Sequence, residues 1–178
     1  MKFTDQELAE GCRQKKPAMQ RALYEKYGPR LLAVCRRYIP DKMQAEDVFQ
    51  EAFVKAFNSI ADFRDGSLEG WLKRIFVNFS INHFNRVIKK NRLDELNDDI
   101  TAETELPDAL DEMSADEIMV HVNTLPPGCR LVFIMFVIEG YDHNEIARLM
   151  EISSGTSKSQ LNRAKTLLRE RLGRYAYK

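Results

Sequence analysis

Three groups of side chains in this sequence have types and spacings suited to non-covalent chemistry. Between Gln44 and Ile60, Asp47, Gln50, Glu51, Val54 and Asn58 recur at steps of three and four, which places acids, amides and an apolar neighbour on one face of a helix. An ordinary solvated helix face has the same composition. Further along, Arg74, Asn78, Asn82 and Asn85 lie close together on a helix face away from its apolar stripe. Asn costs roughly half a kcal/mol in a helix interior relative to Ala, so a row of them suggests a purpose other than helix stability. Base edges of nucleic acid offer paired donors and acceptors that an amide can match; a tolerated polar surface is the plain alternative. Near the C-terminus, Lys158, Ser159, Asn162, Arg163 and Lys165 form a basic group rich in hydrogen-bonding side chains.

Bond-making chemistry has no such residues behind it. Cys12, Cys35 and Cys129 are far apart and flanked by nothing resembling CxxC, and His83, His121 and His143 are equally scattered, so no zinc site and no disulfide are read. There is no Gly-rich phosphate loop and no nucleophile with a base beside it. The expectation is a binding protein: not an enzyme, with no cofactor, no metal and no small-molecule substrate.

The elements that must position these groups are all helices. The stretch carrying Asp47 also holds Ala45, Val48, Phe49, Ala52, Phe53, Ala56, Phe57 and Ile60 at helical spacing, a core face opposite the acidic one. Before it, Thr4-Asp5-Gln6-Glu7 fits a capping box that starts a first helix. Pro17 opens a second, carrying Met19, Ala22, Leu23 and Tyr27, which Gly28-Pro29 is expected to break before a third helix from Arg30 to Tyr38. After a loop around Gly66, the apolar stripe Leu68, Trp71, Leu72, Ile75, Phe76 and Phe79 predicts a long helix reaching Ile88. In the C-terminal part, Leu125-Pro126-Pro127 opens a helix with Leu131, Val132, Phe133, Met135, Phe136 and Ile138 buried, and Gly140 ends it. Asp142-His-Asn-Glu145 caps a short helix with Ile146, Ala147 and Met150 inward, and Ser153-Ser154-Gly155-Thr156 begins a longer one with Leu161, Ala164, Leu168 and Leu172 inward. Two helices around a tight turn, the second basic, fit a helix-turn-helix.

A net charge of zero over 178 residues conceals a pattern. Residues 1–88 hold 15 Lys and Arg against 11 Asp and Glu, residues 89–117 hold 3 against 11, and residues 118–178 hold 9 against 5. Two mildly basic blocks therefore flank a strongly acidic one, poor in aromatics, that reads as a linker. The expected organisation is all-α: a helical domain over 1–88, an acidic flexible linker over 89–113 and a second helical domain over 114–178. No apolar run is long enough to span a bilayer and the N-terminus has no apolar signal region, so membrane insertion is not expected and a cytoplasmic location is.

Asp47-Val-Phe-Gln50-Glu51-Ala-Phe53, then Phe63-Arg64, then Trp71-Leu72-Lys-Arg-Ile75-Phe-Val-Asn78 resemble region two of bacterial sigma factors, in the compact extracytoplasmic-function (ECF) group of the sigma-70 family. Glu139-Gly-Tyr-Asp-His-Asn-Glu145-Ile-Ala and Gly155-Thr156-Ser-Lys158-Ser159-Gln-Leu-Asn-Arg163-Ala resemble region four of the same family, in the right order and with the linker between. The resemblance implies a factor that binds core RNA polymerase and directs promoter-specific transcription initiation without catalysis. It implies core contacts by Asp47, Gln50, Glu51 and Val54, and minus-ten recognition by Phe63, Arg64, Arg74, Asn78 and Asn82. It also implies minus-thirty-five recognition by Thr156, Lys158, Ser159, Gln160, Asn162 and Arg163. Many relatives carry more Arg on that last helix, whereas Gln160 and Asn162 dilute the charge here. The implied partners are core RNA polymerase and promoter DNA, and an anti-sigma factor that covers these surfaces stays open. A conventional helix-turn-helix regulator, which would use only the C-terminal block for DNA, is the competing reading.

Overall fold

The computed structural model of the chain describes residues 3–90 and 113–173, so the acidic linker expected over 89–113 falls, apart from its two ends, outside the described residues. The chain divides into two compact units, Met1–Asn91 and Arg92–Lys178, and among the described residues every regular element is helical.

The first unit holds α1 (Asp5–Arg13), α2 (Pro17–Tyr38), α3 (Lys42–Asn58), a 3-10 turn (Ile60–Asp62) and α4 (Leu68–Lys90). Local chemistry sets most of the boundaries. The Thr4 hydroxyl accepts from the Glu7 amide while the Glu7 carboxylate accepts from the Thr4 amide at 2.8 Å, the reciprocal cap expected for α1. Asp41 accepts from the Gln44 amide at 2.8 Å to start α3, and the Ser67 hydroxyl accepts from the Gly70 amide at 3.0 Å where α4 begins. α4 extends two residues past the expected Ile88, to Lys90.

One expected break is absent. α2 runs without interruption through Gly28 and Pro29, where the sequence pointed to two helices. A proline inside a helix loses one backbone hydrogen bond and costs about 3 kcal/mol. Here Leu23 and Tyr27 before it and Leu31, Val34, Cys35 and Tyr38 after it are all buried on the same side. Each large side chain so buried contributes about 1.5–3 kcal/mol, which outweighs the local preference.

α2, α3 and α4 pack on one another around an aromatic centre. Phe53 lies 4.9 Å from Tyr24, 5.0 Å from Phe49 and 5.0 Å from Phe76 between ring centroids. Ala45, Ala52 and Ala56 are buried alongside, and their small side chains let α3 approach its neighbours closely. On α4 the buried stripe is Leu68, Leu72, Phe76, Val77, Ser80 and Ile81. Trp71, Ile75 and Phe79, expected inside, are half-buried on its flank. The buried residues follow i, i+4 steps, Leu68, Leu72, Phe76 and Ser80 with Val77 and Ile81 beside them, so the i+3 positions Trp71, Ile75 and Phe79 fall on the other side of that row.

The second unit holds α5 (Ala115–Val122), α6 (Pro127–Phe133), a π-helical turn (Ile134–Ile138), α7 (His143–Met150) and α8 (Ser154–Gly173), with α6 and α7 both packed on α8. α5 begins inside what the charge pattern groups with the acidic block: Ser114 and Glu117 form a reciprocal cap, so these residues are helix-start chemistry rather than tether. Cys129, Arg130, Leu131, Val132, Phe133, Ile134 and Met135 are buried in sequence, but Phe136 is half-buried and Ile138 exposed, against expectation. The π turn explains the shift, since the Glu139 amide bonds the Ile134 carbonyl at 3.0 Å, five residues back, and rotates the following side chains out of helical register. The inward sets expected for the last two helices hold, with Ile146, Met150, Leu161, Ala164, Leu168 and Leu172 buried and only Ala147 half-exposed.

Candidate partner and nucleic-acid interfaces

Because α3 turns its alanines and phenylalanines inward, its other face is free. Asp47, Gln50, Glu51, Val54 and Asn58 are all exposed, and they form one row along the helix. Val54 is 60% exposed, and Met43, one turn before Asp47 on the same face, is 77% exposed. The row is therefore acidic and amide between two apolar side chains, Met43 and Val54, with Asn58 one turn beyond. Met43 did not figure in the sequence reading, although its spacing of four from Asp47 could have included it. The row has a border on α4: Arg86 lies 4.0 Å from the Glu51 carboxylate, and the His83 Nε2 is 2.9 Å from the Gln44 amide oxygen. Burial and the Arg86 charge push the His83 pKa down, against the opposing pull of Glu51 and Asp47.

The loop between the 3-10 turn and α4 divides into an anchored and a presented part. Phe63 is 5% exposed, its ring 5.8 Å from that of Trp71, and its carbonyl accepts a hydrogen bond from Arg13 of α1. Its side chain thus holds the loop and is turned away from solvent. Arg64, Asp65, Gly66 and Ser67 follow, all exposed, with Gly66 at φ +89°, a region that favours glycine. On α4, Arg74 and Asn82 are exposed and Asn78 is half-buried between them, one turn from each. The cluster read from the sequence is one row on the helix, reachable from solvent along its length.

In the second unit, the Asp142 carboxylate accepts from the Asn144 and Glu145 amides at 2.7 and 2.8 Å and so starts α7. α7 ends at Glu151, at φ +58°, and the chain turns directly into α8. The turn is braced by His143, whose ring stacks on Phe136 at 4.5 Å and whose Nδ1 lies 2.9 Å from the hydroxyl of fully buried Ser157. Burial, and secondarily the Lys158 charge, lower the His143 pKa, which favours the neutral ring. This brace is not legible in local spacing, because its partners lie 7 and 14 residues away on other elements.

On α8 the six residues expected to meet DNA do not share one situation. Lys158 and Arg163 are exposed; Thr156, Ser159, Gln160 and Asn162 are half-buried. Thr156 holds its hydroxyl 2.9 Å from that of Ser153, and the Ser159 hydroxyl bonds back to the Thr156 carbonyl at 3.0 Å. The Gln160 side chain is turned into its own domain. Its amide oxygen accepts from the Cys129 thiol at 2.8 Å and lies over Gly128, where an added Cβ would stand 3.3 Å from it. Burial raises that thiol to about 11, so Cys129 stays a neutral donor. Among the described residues no group of three or more His, Cys, Asp or Glu could hold a metal ion, and no helix is long and apolar enough to cross a membrane.

Residues 23–88 match the family model for Sigma-70 region 2, and residues 108–168 match that for Sigma-70, region 4. The chain is 32% identical to the RNA polymerase sigma-H factor of Pseudomonas aeruginosa over 177 residues, covering 90% of each chain. It is 29% identical to the ECF RNA polymerase sigma-E factor of Escherichia coli over 176 residues, covering 92% of this chain and 91% of the relative. It is 28% identical to the ECF RNA polymerase sigma factor SigE of Mycolicibacterium smegmatis over 158 residues, covering 86% of this chain but only 62% of that longer relative. In fold it is similar to the sigma factor RpoE solved with the anti-sigma factor NepR from Bartonella quintana, at a TM-score of 0.52 and 22% identity over 86% of this chain and 96% of that one. CnrH, solved with the cytosolic domain of CnrY, gives a TM-score of 0.50 at 22% identity over 94% of this chain and 96% of that one. Both sigma segments match in order, which a conventional helix-turn-helix regulator has no reason to show. The chain belongs to the sigma-70 family, as an ECF RNA polymerase sigma factor, a transcription initiation factor and not an enzyme.

Proposed function

We propose that the first unit, residues 1–88, binds core RNA polymerase through the outward face of α3 and reads the minus-ten element through the Arg64 loop and the α4 row. The second unit, residues 114–178, reads the minus-thirty-five element with α8, and the acidic segment 89–113 tethers the two. The factor works in the cytoplasm, where polymerase and promoter DNA are. The observation that carries this reading is the split character of α3. One side is fully committed to the core, while Asp47, Gln50, Glu51 and Val54 on the other side have been left in water with Met43. Carboxylates and amides beside exposed apolar groups suit a basic partner surface, because charge-assisted hydrogen bonds supply orientation and the apolar ends supply buried area.

On DNA, exposed Arg64, Arg74 and Asn82 with half-buried Asn78 can meet an unstacked strand, whose bases offer their Watson-Crick edges to amides. Phe63 acts by fixing the loop. On α8, Lys158, Asn162 and Arg163 carry the outward contacts, while Thr156, Ser159 and Gln160 shape the helix start and its seat. Of the two solved neighbours, RpoE was determined in complex with the anti-sigma factor NepR and CnrH in complex with the cytosolic domain of CnrY. An inhibitor of that kind would act here by covering the same faces.

The test is Glu51→Arg, measured as affinity for core polymerase. The residue is exposed, so helicity and melting are expected to stay as in the parent. Reversing a charge at a contact that becomes buried costs about 2 kcal/mol or more, on the order of thirty-fold in Kd. Parent-like affinity for core would remove α3 from the interface.

A further inference from the structure

α1 lies outside the matched region-2 segment, which starts at residue 23, yet it is bound tightly to the rest of the unit. Leu8, Ala9 and Cys12 are buried. Gly11 crosses the start of α2 so closely that a Cβ there would fall 2.3 Å from Met19 Cγ. At the other end of the helix, the Asp5 carboxylate takes the Lys26 ammonium at 2.7 Å and the Tyr27 hydroxyl at 2.5 Å. A helix held at both ends and along its face is a rigid base.

From that base one side chain reaches across to the loop. Arg13 ends α1; its guanidinium is oriented by Glu10 at 3.0 Å, and Glu10 is itself steadied by Gln14 at 2.8 Å. The other arm of Arg13 donates to the Phe63 carbonyl, fifty residues away in sequence. That carbonyl stands where the 3-10 turn has ended and α4 has not begun. With the Phe63 ring seated against Trp71 and Ser67 capping α4, the exposed segment Arg64-Asp65-Gly66 is suspended between two fixed points.

We propose that Arg13 is a positioning residue for promoter opening: through its bond to the Phe63 carbonyl it fixes the backbone from which Arg64 meets the unstacked minus-ten strand. Arg13 itself touches no base. The inference rests on the reading of the loop as a minus-ten contact, and the experiment separates the two.

Full-length Arg13→Ala, Arg13→Lys and Arg64→Ala are each reconstituted with core polymerase. Open-complex formation is then measured on templates changed singly at every minus-ten position, beside thermal melting and affinity for core. Losing a side-chain to backbone hydrogen bond is worth on the order of five- to ten-fold in an equilibrium. Arg13→Ala is expected to lower open-complex formation by about that factor and to flatten discrimination at the same base positions as Arg64→Ala, with core affinity and melting close to the parent. Arg13→Lys, which keeps one donor within reach, recovers part of both. If Arg64→Ala leaves the discrimination profile untouched, the loop is not a minus-ten reader and the proposal falls with that reading. If Arg64→Ala flattens the profile and Arg13→Ala does not, the reading stands and the positioning role is overturned. A uniform drop for every template that tracks a lowered melting temperature in Arg13→Ala also overturns it, since a brace that only stabilises the unit has no base preference.

Discussion

Phe53 touches four aromatic rings, those of Tyr24, Phe49, Phe57 and Phe76, and is 4% exposed. Removing such a ring leaves a cavity that neighbours on three helices cannot close, so Phe53→Ala should destabilise the first unit by roughly 3 to 5 kcal/mol. Chemical denaturation followed by far-UV signal checks this; a parent-like midpoint combined with lost polymerase binding would instead put the ring at the partner. Helical spacing made the burial of Phe53 readable in the sequence, and the exposure of Asp47, Gln50 and Glu51 follows from the same arithmetic. It could not find partners brought by tertiary structure. The resemblance puts Gln160 among the minus-thirty-five residues, and spacing cannot tell that its amide oxygen takes the Cys129 thiol, 31 residues earlier. Phe63 is named only through the family resemblance, and its burial depends on Trp71, one helix turn into α4, which receives its ring.

At the scale of elements, legibility follows the range of the interaction. The reciprocal caps at Thr4/Glu7 and Asp142/Glu145 involve residues three apart, and both formed where the spacing placed them. The cap at Ser114/Glu117 is of the same kind but sits in a stretch whose charge suggested a tether, so composition concealed a local signal. Pro29 is the reverse case, a strong local signal overruled by burial on both sides of it. Glu151 marks a further conflict between local preference and fold. It occupies the left-handed region at the end of α7, where the helix-turn-helix turns, and the Ile152 amide returns to the Ala147 carbonyl at 3.0 Å. An L-residue there costs about 1–2 kcal/mol that glycine does not incur, offset by the greater freedom glycine loses on folding. Because Glu151 is exposed, the interactions its side chain makes are screened by water and worth less than the strain, so Glu151→Gly should raise the stability of the second unit by up to about 1 kcal/mol net. A melting temperature equal to or below the parent's would mean that the Glu151 side chain makes contacts worth as much as the strain.

For the whole molecule, a net charge of zero says little about polyanion binding, because the acidic charge is concentrated in 89–117 and both flanking blocks are positive. Affinity for DNA is set by the phosphates each unit neutralises, and counterion release makes that number visible as a salt slope. In the first half of α8 the exposed cations Lys158 and Arg163 stand five residues apart, about 140° around the helix, and so occupy different flanks. Lys158 acts on His143 of α7, while the charge of Arg163 is felt by Cys129 of α6. A helix that enters the major groove by its N-terminal end brings Lys158, near that end, towards a phosphate strand, where an ammonium works as a point charge. Arg163 lies more than a turn further along, and its planar fork can take guanine O6 and N7 together, worth about 1 to 3 kcal/mol of discrimination. Arg163→Ala should therefore relax specificity at one position of the minus-thirty-five element. Lys158→Ala should weaken holoenzyme binding almost evenly across sequences and reduce the magnitude of the slope of log affinity against log salt by about one. Both variants are measured as holoenzyme on single-base promoter changes at several salt concentrations. An equal loss on every sequence for Arg163→Ala would remove its base-reading role, and an unchanged slope for Lys158→Ala would move its charge off the phosphate backbone.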